Sequence, residues 1–190
     1  MHCSWKRYWL SVLVVMTGLL TGTLSTRAAL DMYMKIDEID GESSVADHRD
    51  EIEITSINWG VSTEVDNSGD VRRTGIPNFK IVKITKWYDK SSPLLALACA
   101  RGDAFPRVQL TSRRQGASGE TLPYLEIELT DVLVTSYQTS ASRGDTAEEP
   151  VDSIALNFEE IKVTYKRYDE AGVQTESTGF TWNVATNTGG

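Results

Sequence analysis

Histidine and cysteine are scarce, two of each in 190 residues, and this scarcity removes several chemistries at once. A structural zinc site needs four soft ligands, and a disulfide scaffold needs pairs of cysteines at regular spacings. His2 and Cys3 both fall at the extreme N-terminus, so the rest of the chain holds only His48 and Cys99. His48 lies in the run DHRDE, flanked by Asp47, Arg49, Asp50 and Glu51. That setting reads as a solvated turn, with no marked nucleophile for a Ser-His-Asp arrangement. Cys99 sits near the C-terminal end of an expected helix, where the dipole disfavours a thiolate, so it reads as a buried apolar side chain. The sequence also lacks GxGxxG, the phosphate-binding loop, HExxH and a complete calcium loop. Asp66-Asn67-Ser68-Gly69-Asp70 offers oxygen ligands without the full calcium spacing. A glycosidase would need only two carboxylates, but Glu126 and Glu128 fall at outward positions of an alternating strand. Positive charge is lacking too: 19 basic against 27 acidic residues give a net charge of −8, the wrong sign for coating nucleic acid. The expectation is a protein with no catalytic residue, cofactor or metal and no nucleic-acid partner.

Acidic residues are absent before Asp31, where the only charged side chains are Lys6, Arg7 and Arg27. The basic start leads into a 15-residue apolar stretch, Leu10 to Leu24, and then to the small-x-small step Thr26-Arg27-Ala28. This order reads as a secretory signal over residues 1–28. The stretch is shorter than the ~20 residues of a spanning helix, so no membrane association is expected after cleavage. Residues 29–190 then form the mature domain, secreted or periplasmic. The other possibility is a start at Met32, with cytoplasmic assembly.

Beyond residue 30 the dominant period is two. Met32, Met34 and Ile36 alternate with Tyr33, Lys35 and Asp37, the pattern of a half-buried strand. In EIEITSINWG, Ile52 and Ile54 share one parity while Ile57 and Trp59 share the other, which predicts a bulge near Thr55 and Ser56. The run 63–75, TEVDNSGDVRRTG, is almost without apolar residues and reads as a long exposed loop. Alternation resumes through Phe79 to Trp87, through Leu125, Ile127 and Leu129, and through the C-terminal third, which reads as a hairpin. One segment breaks the period. Ser92 and Pro93 open LLALACAR and Gly102 closes it, giving a helix with serine as N-cap, proline in the first turn and glycine as C-cap. Leu94, Leu97 and Ala98, widened by Leu95 and Cys99, are expected to form its buried stripe. The predicted fold is mostly β: an antiparallel two-sheet β-barrel with one short α-helix.

The order of these pieces is more specific than any one of them. MYMKIDEIDGES, DHRDEIEITSINWG, KWYDKSSPLLALACARG, YLEIELTDVLVTSY, IALNFEEIKVTY and FTWNV follow one another from Met32 to Val184, and together they resemble the Hcp family, the ring-forming tube proteins of bacterial type VI secretion systems. The resemblance implies a non-catalytic barrel assembled into homohexameric rings that stack into a tube. The partners it implies are further copies of the chain, a VgrG-type spike, a contractile sheath, and effector proteins in the lumen.

Relatives carry a glycine-rich stacking loop where this chain has charges, so Glu64, Asp66, Asp70, Arg72 and Arg73 become the candidate stacking residues. Glu53, Ser56 and Asn58 form a candidate lumen face. A secretory signal also departs from the family, whose members assemble in the cytoplasm and leave through their own apparatus. Two other readings remain: an exported binding module that uses the ring for another purpose, and a secreted β-barrel hydrolase.

Overall fold

The computed structural model describes residues 30–66, 73–117, 119–141 and 149–190. The expected signal segment lies outside these residues. Six strands precede the helix: β1 (Asp31–Ile36), β2 (Ile52–Glu53), β3 (Ser56–Asn58), β4 (Val61–Asp66), β5 (Arg73–Phe79) and β6 (Val82–Trp87). The helix α1 (Ser92–Arg101) follows. After it come β7 (Ala104–Gln115), β8 (Thr121–Ser140), β9 (Val151–Asn157), β10 (Glu160–Tyr168), β11 (Gln174–Asn183) and β12 (Thr188–Gly189). All pairings among these strands are antiparallel.

β8 organises the molecule. Its first half lies between β7 and β10, while its second half pairs with β9, so one long strand joins two sets of neighbours in a single ten-stranded sheet. The side-chain pattern records the change. Ile127 and Leu129 are buried at odd positions, Val132 and Val134 at even ones, and between them Asp131 takes a φ of +50°. Paired β7 makes the same switch, with Phe105 buried before Pro106 and Val108 and Leu110 buried after it. A residue in the left-handed region kinks and twists its strand, which lets both parities point into one core.

The ladder runs from β2 through β1, β7, β8, β9 and β6 to β3. β2 and β3, the two ends of this path, are consecutive on one run of chain but pair with different neighbours, so the barrel-like sheet is left without a closing ladder between them. At the junction the Ile54 N–H donates to the Met32 carbonyl at 2.9 Å and the Thr55 N–H to the Thr85 carbonyl at 2.7 Å. Ile52 and Ile54 are buried and Glu53, Ser56 and Asn58 are exposed. The bulge expected near Thr55 and Ser56 is not what changes the parity: β2 ends there on β1, and β3 begins on β6 within the same ten-stranded sheet.

The core gathers Met34, Ile52, Ile84, Leu110, Ile127, Leu129, Ile154, Leu156 and Ile161, all essentially free of solvent contact. These are the inward positions of alternating strands, and hydrophobic burial of roughly 1.5–3 kcal/mol per large side chain is the main force holding the barrel. The helix lies against β8 and departs from expectation on two counts. Ser91, not Ser92, stands at the N-cap, and its side chain makes no capping bond to the helix. The buried stripe is Ser92, Leu95 and Ala98, whereas Leu94 and Leu97 are 45% and 42% exposed. The helix meets the barrel along a narrower strip than its apolar content implies. The other end is as expected: Gly102, at φ +72°, caps the helix through an N–H bond to the Ala98 carbonyl.

The long loop expected over 63–75 is also corrected. Thr63 to Asp66 lie in β4 and Arg73 to Gly75 in β5, so both flanks are strands of a separate two-stranded sheet. Polar side chains are compatible with strand pairing when both faces are solvated, and this arm has no buried face to demand an apolar alternation.

Candidate functional site

Three surfaces bear on assembly. The first is the β4–β5 arm. The Lys80 N–H donates to the Gly60 carbonyl at 2.8 Å and closes the arm at its root. Aromatic rings then fix the root to the body: Trp59 and Phe79 lie 6.2 and 6.5 Å from Phe180, and Phe79 stacks at 5.8 Å on Trp182. Both partners belong to β11. Such pairs add roughly 0.5–1.5 kcal/mol each beyond area burial, enough to set the arm's direction. Further out, Val61, Val65 and Ile76 are exposed, Ile76 by 75%. Glu64 and Arg73 are exposed on the two strands, and Asp66 pairs in register with Arg73. Asp70 and Arg72 lie outside the described residues.

The second surface is the run through β2 and β3, where Glu53, Ser56 and Asn58 are solvent-facing. The third surrounds the start of α1, where a buried polar cluster fixes the helix to the barrel. Lys86 is 0% exposed. Its Nζ donates to the Trp87 carbonyl at 2.7 Å, Asp89 Oδ1 at 2.8 Å and Ser92 Oγ at 2.9 Å, with Asp152 Oδ2 at 3.3 Å. Ser92 donates in turn to Asp152 Oδ2 and accepts from the Asp89 N–H at 3.0 Å. Asp152 Oδ1 accepts from the Tyr137 hydroxyl at 2.9 Å and from Thr139. Burial pulls the Asp152 pKa upward, but the hydroxyls of Ser92, Thr139 and Tyr137 and the charge on Lys86 outweigh it, so the carboxyl titrates below its ordinary range. Burial also raises the Tyr137 hydroxyl.

This cluster turns Ser92 from the expected helix cap into a cross-link between helix and sheet. The Lys86–Asp152 pair itself was missed in the sequence, though the signal was present: Val82, Ile84 and Lys86 alternate on one strand and Asp152, Ile154 and Leu156 on another, so each charge occupies an inward position. Among the described residues no cluster of metal-ligating side chains occurs, and Ser92, Pro93 and Gly102 serve the helix ends or the cluster just described.

Comparison with known proteins agrees with this architecture. The family described as "Type VI secretion system effector, Hcp" matches residues 33–165. "Protein hcp1" of Pseudomonas aeruginosa is 32% identical over 163 residues, which is 84% of this chain and 98% of that protein. A solved type six secretion system protein superposes with a TM-score of 0.78 at 28% identity, covering 85% of this chain and all of the other. Hcp1 of Salmonella typhimurium superposes with a TM-score of 0.66, also at 28% identity, over 85% of this chain and 99% of the other. The chain belongs to the Hcp family of type VI secretion proteins.

Proposed function

We propose that the chain is a structural, ring-forming subunit of a type VI secretion tube, with six copies to a ring and rings stacked end to end. The observation that carries this reading is the β4–β5 arm. It is a two-stranded sheet that pairs with no other described strand, is clamped at its root by aromatic rings, and leaves Val61, Val65 and Ile76 in solvent. A fixed, partly apolar projection suits contact with another copy better than it suits an isolated monomer. Leu94 and Leu97 on the outer side of α1 add apolar surface of the same kind.

In this reading Glu53, Ser56 and Asn58 face the lumen, and Glu64, Asp66, Asp70, Arg72 and Arg73 act where rings meet. The subunit is structural rather than catalytic, as expected of its family. Its partners are other copies, and by family resemblance a VgrG-type spike, a contractile sheath and effector proteins held in the lumen. Export belongs to the same proposal, and the basic start, apolar stretch and Thr26-Arg27-Ala28 step support cleavage after residue 28.

Native mass spectrometry of the purified protein tests the assembly. A six-copy species is expected, and a monomer at every concentration would overturn the ring. N-terminal sequencing of protein from its native host tests cleavage, for which the expected first residue is Ala29.

A further inference from the structure

β6 ends on a residue unlike those before it on the same side. Val82, Ile84 and Lys86 are buried, so Lys83, Thr85 and Trp87 take the outward positions of the strand. The first two are polar, as a solvated face requires. Trp87, however, is 46% exposed, and Tyr88, next in the chain, is 45% exposed. Two large adjacent rings half in water mark a contact surface rather than a core.

The rings line a cleft of about 260 Å³ whose other walls are Glu42, Glu53, Asp89 and Glu149. Four carboxylates thus meet two aromatic side chains, and no cationic side chain lines the cleft. Asp89 is compensated from beneath by Lys86, with Nζ at 2.8 Å. Glu42, Glu53 and Glu149 are exposed and form no ion pair among the described residues. The ammonium of Lys90 lies 3.9 Å from Asp50, while its backbone N–H donates to Glu42 Oε1 at 2.9 Å. The Tyr88 N–H donates to the Pro150 carbonyl at 2.8 Å, which fixes Tyr88 to the segment that carries Glu149. The walls therefore come from separate stretches of chain held together by the backbone.

Carboxylates alone would make a solvated acidic surface. Here they adjoin aromatic rings, whose faces also attract positive charge, so both features select the same kind of ligand. Trp87 and Glu53 line a second cleft as well, of about 180 Å³, with Leu30, Met32 and Ile54 among its walls. An acidic, aromatic mouth beside an apolar trough suits a cation carried on a hydrocarbon stem.

We propose that the Trp87–Tyr88 cleft binds an alkylammonium or alkylguanidinium group, held against the aromatic rings and neutralised by Glu42, Glu53 and Glu149, with its stem along Leu30 and Met32. The cation comes from a free amine or from a lysine or arginine side chain of another chain. The site does not depend on whether rings form or stack.

The test is titration calorimetry on the purified full chain at constant ionic strength. The probes are n-butylguanidinium chloride and the blocked peptide acetyl-Leu-Arg-Leu-amide, with n-butanol and sodium chloride as comparisons. Saturable binding of a cationic probe is expected, with none for n-butanol. It should weaken roughly fivefold or more in Trp87→Leu, which keeps apolar bulk but loses the ring, and in the double variant Glu53→Gln, Glu149→Gln, which keeps shape but loses charge. All three positions are exposed, so the fold should be preserved. Tighter binding of the peptide than of n-butylguanidinium supports a protein side chain as the source, and equal or weaker binding supports a free amine. Absence of saturable binding by both probes overturns the proposal, as does binding that either variant leaves unchanged.

Discussion

Lys86 and Asp152 stand opposite one another in the β6–β9 register, both without solvent exposure, with Nζ 3.3 Å from Oδ2. A salt bridge in this setting contributes little to stability by its charge alone, because both ions lose their hydration. Its value is geometric. Through Ser92 and Asp89 the same pair fixes the first turn of α1 against the barrel, so the helix has only one way to start.

Removing one member should therefore cost far more than a surface mutation. Lys86→Met leaves the Asp152 carboxylate buried without a cation, and a loss of roughly 3–5 kcal/mol is expected in urea unfolding. Asp152→Asn should cost less, because the Asp89 carboxylate, 2.8 Å from Nζ, still balances Lys86. A loss below about 1 kcal/mol for Lys86→Met would remove the cluster from any structural role.

The same carboxylate sets an acid limit. Its native pKa is lowered relative to the unfolded chain, so between the two values the unfolded state binds more protons and stability rises with pH. The contribution is complete above the unfolded value near 3.8, and is lost as pH falls through the lower native value. Tyr137 acts in the opposite sense: burial raises its native pKa above 10.0, and the stability it lends is lost as pH rises through that native value. Asp152→Asn should flatten the acid limb of the stability curve, measured by denaturant midpoints from pH 5 to 2, and should weaken the alkaline limb without abolishing it, because burial is the largest cause of the Tyr137 shift and the Asp152 carboxylate adds to it.

Much of the barrel was legible because alternation and burial coincide. Ile127 and Leu129, Ile154 and Leu156, and Ile161 and Val163 all point inward as their parity requires. The change of parity at Thr55 was legible for the same reason, but it marks a change of partner strand rather than the expected bulge. The arm was not, since a strand pair solvated on both faces imposes no alternation, and TEVD and RTG read equally well as loop. The helix face was misjudged because leucine content does not reveal which side meets the sheet: Leu95 and Ala98 do, Leu94 and Leu97 do not.

Two glycines should differ in what they tolerate. At Gly41 an added Cβ would lie 2.2 Å from the Glu51 carbonyl oxygen and 2.4 Å from Ile52 Cα, both backbone atoms. Gly41→Ala should thus displace the chain leading into β2 and destabilise by more than ~1 kcal/mol. At Gly102 a Cβ meets nothing within 4 Å, but φ is +72°. There the cost is backbone strain alone, roughly 1 kcal/mol, and thermal unfolding should rank Gly41→Ala as the more damaging.

The arm's charges offer the last test. Glu64 and Arg73 are exposed on opposite strands of β4–β5, so a ring carrying six arms would present both signs to its neighbour. Opposite charges would then meet across the junction, while the net charge of −8 resists approach over longer distances. Screening acts over ~8 Å at physiological ionic strength, so added salt first relieves the long-range repulsion and at higher levels weakens the exposed contact pairs. Tube length, measured by electron microscopy across a salt series, should therefore pass through a maximum. Arg73→Glu should remove that maximum and shorten the tubes while native mass spectrometry still finds intact rings, because the substitution lies far from the core. Restoring opposite signs with Glu64→Lys in the same chain should recover part of the length. Tubes of unchanged length in Arg73→Glu at every salt concentration would mean that the arm's charges are simply solvated.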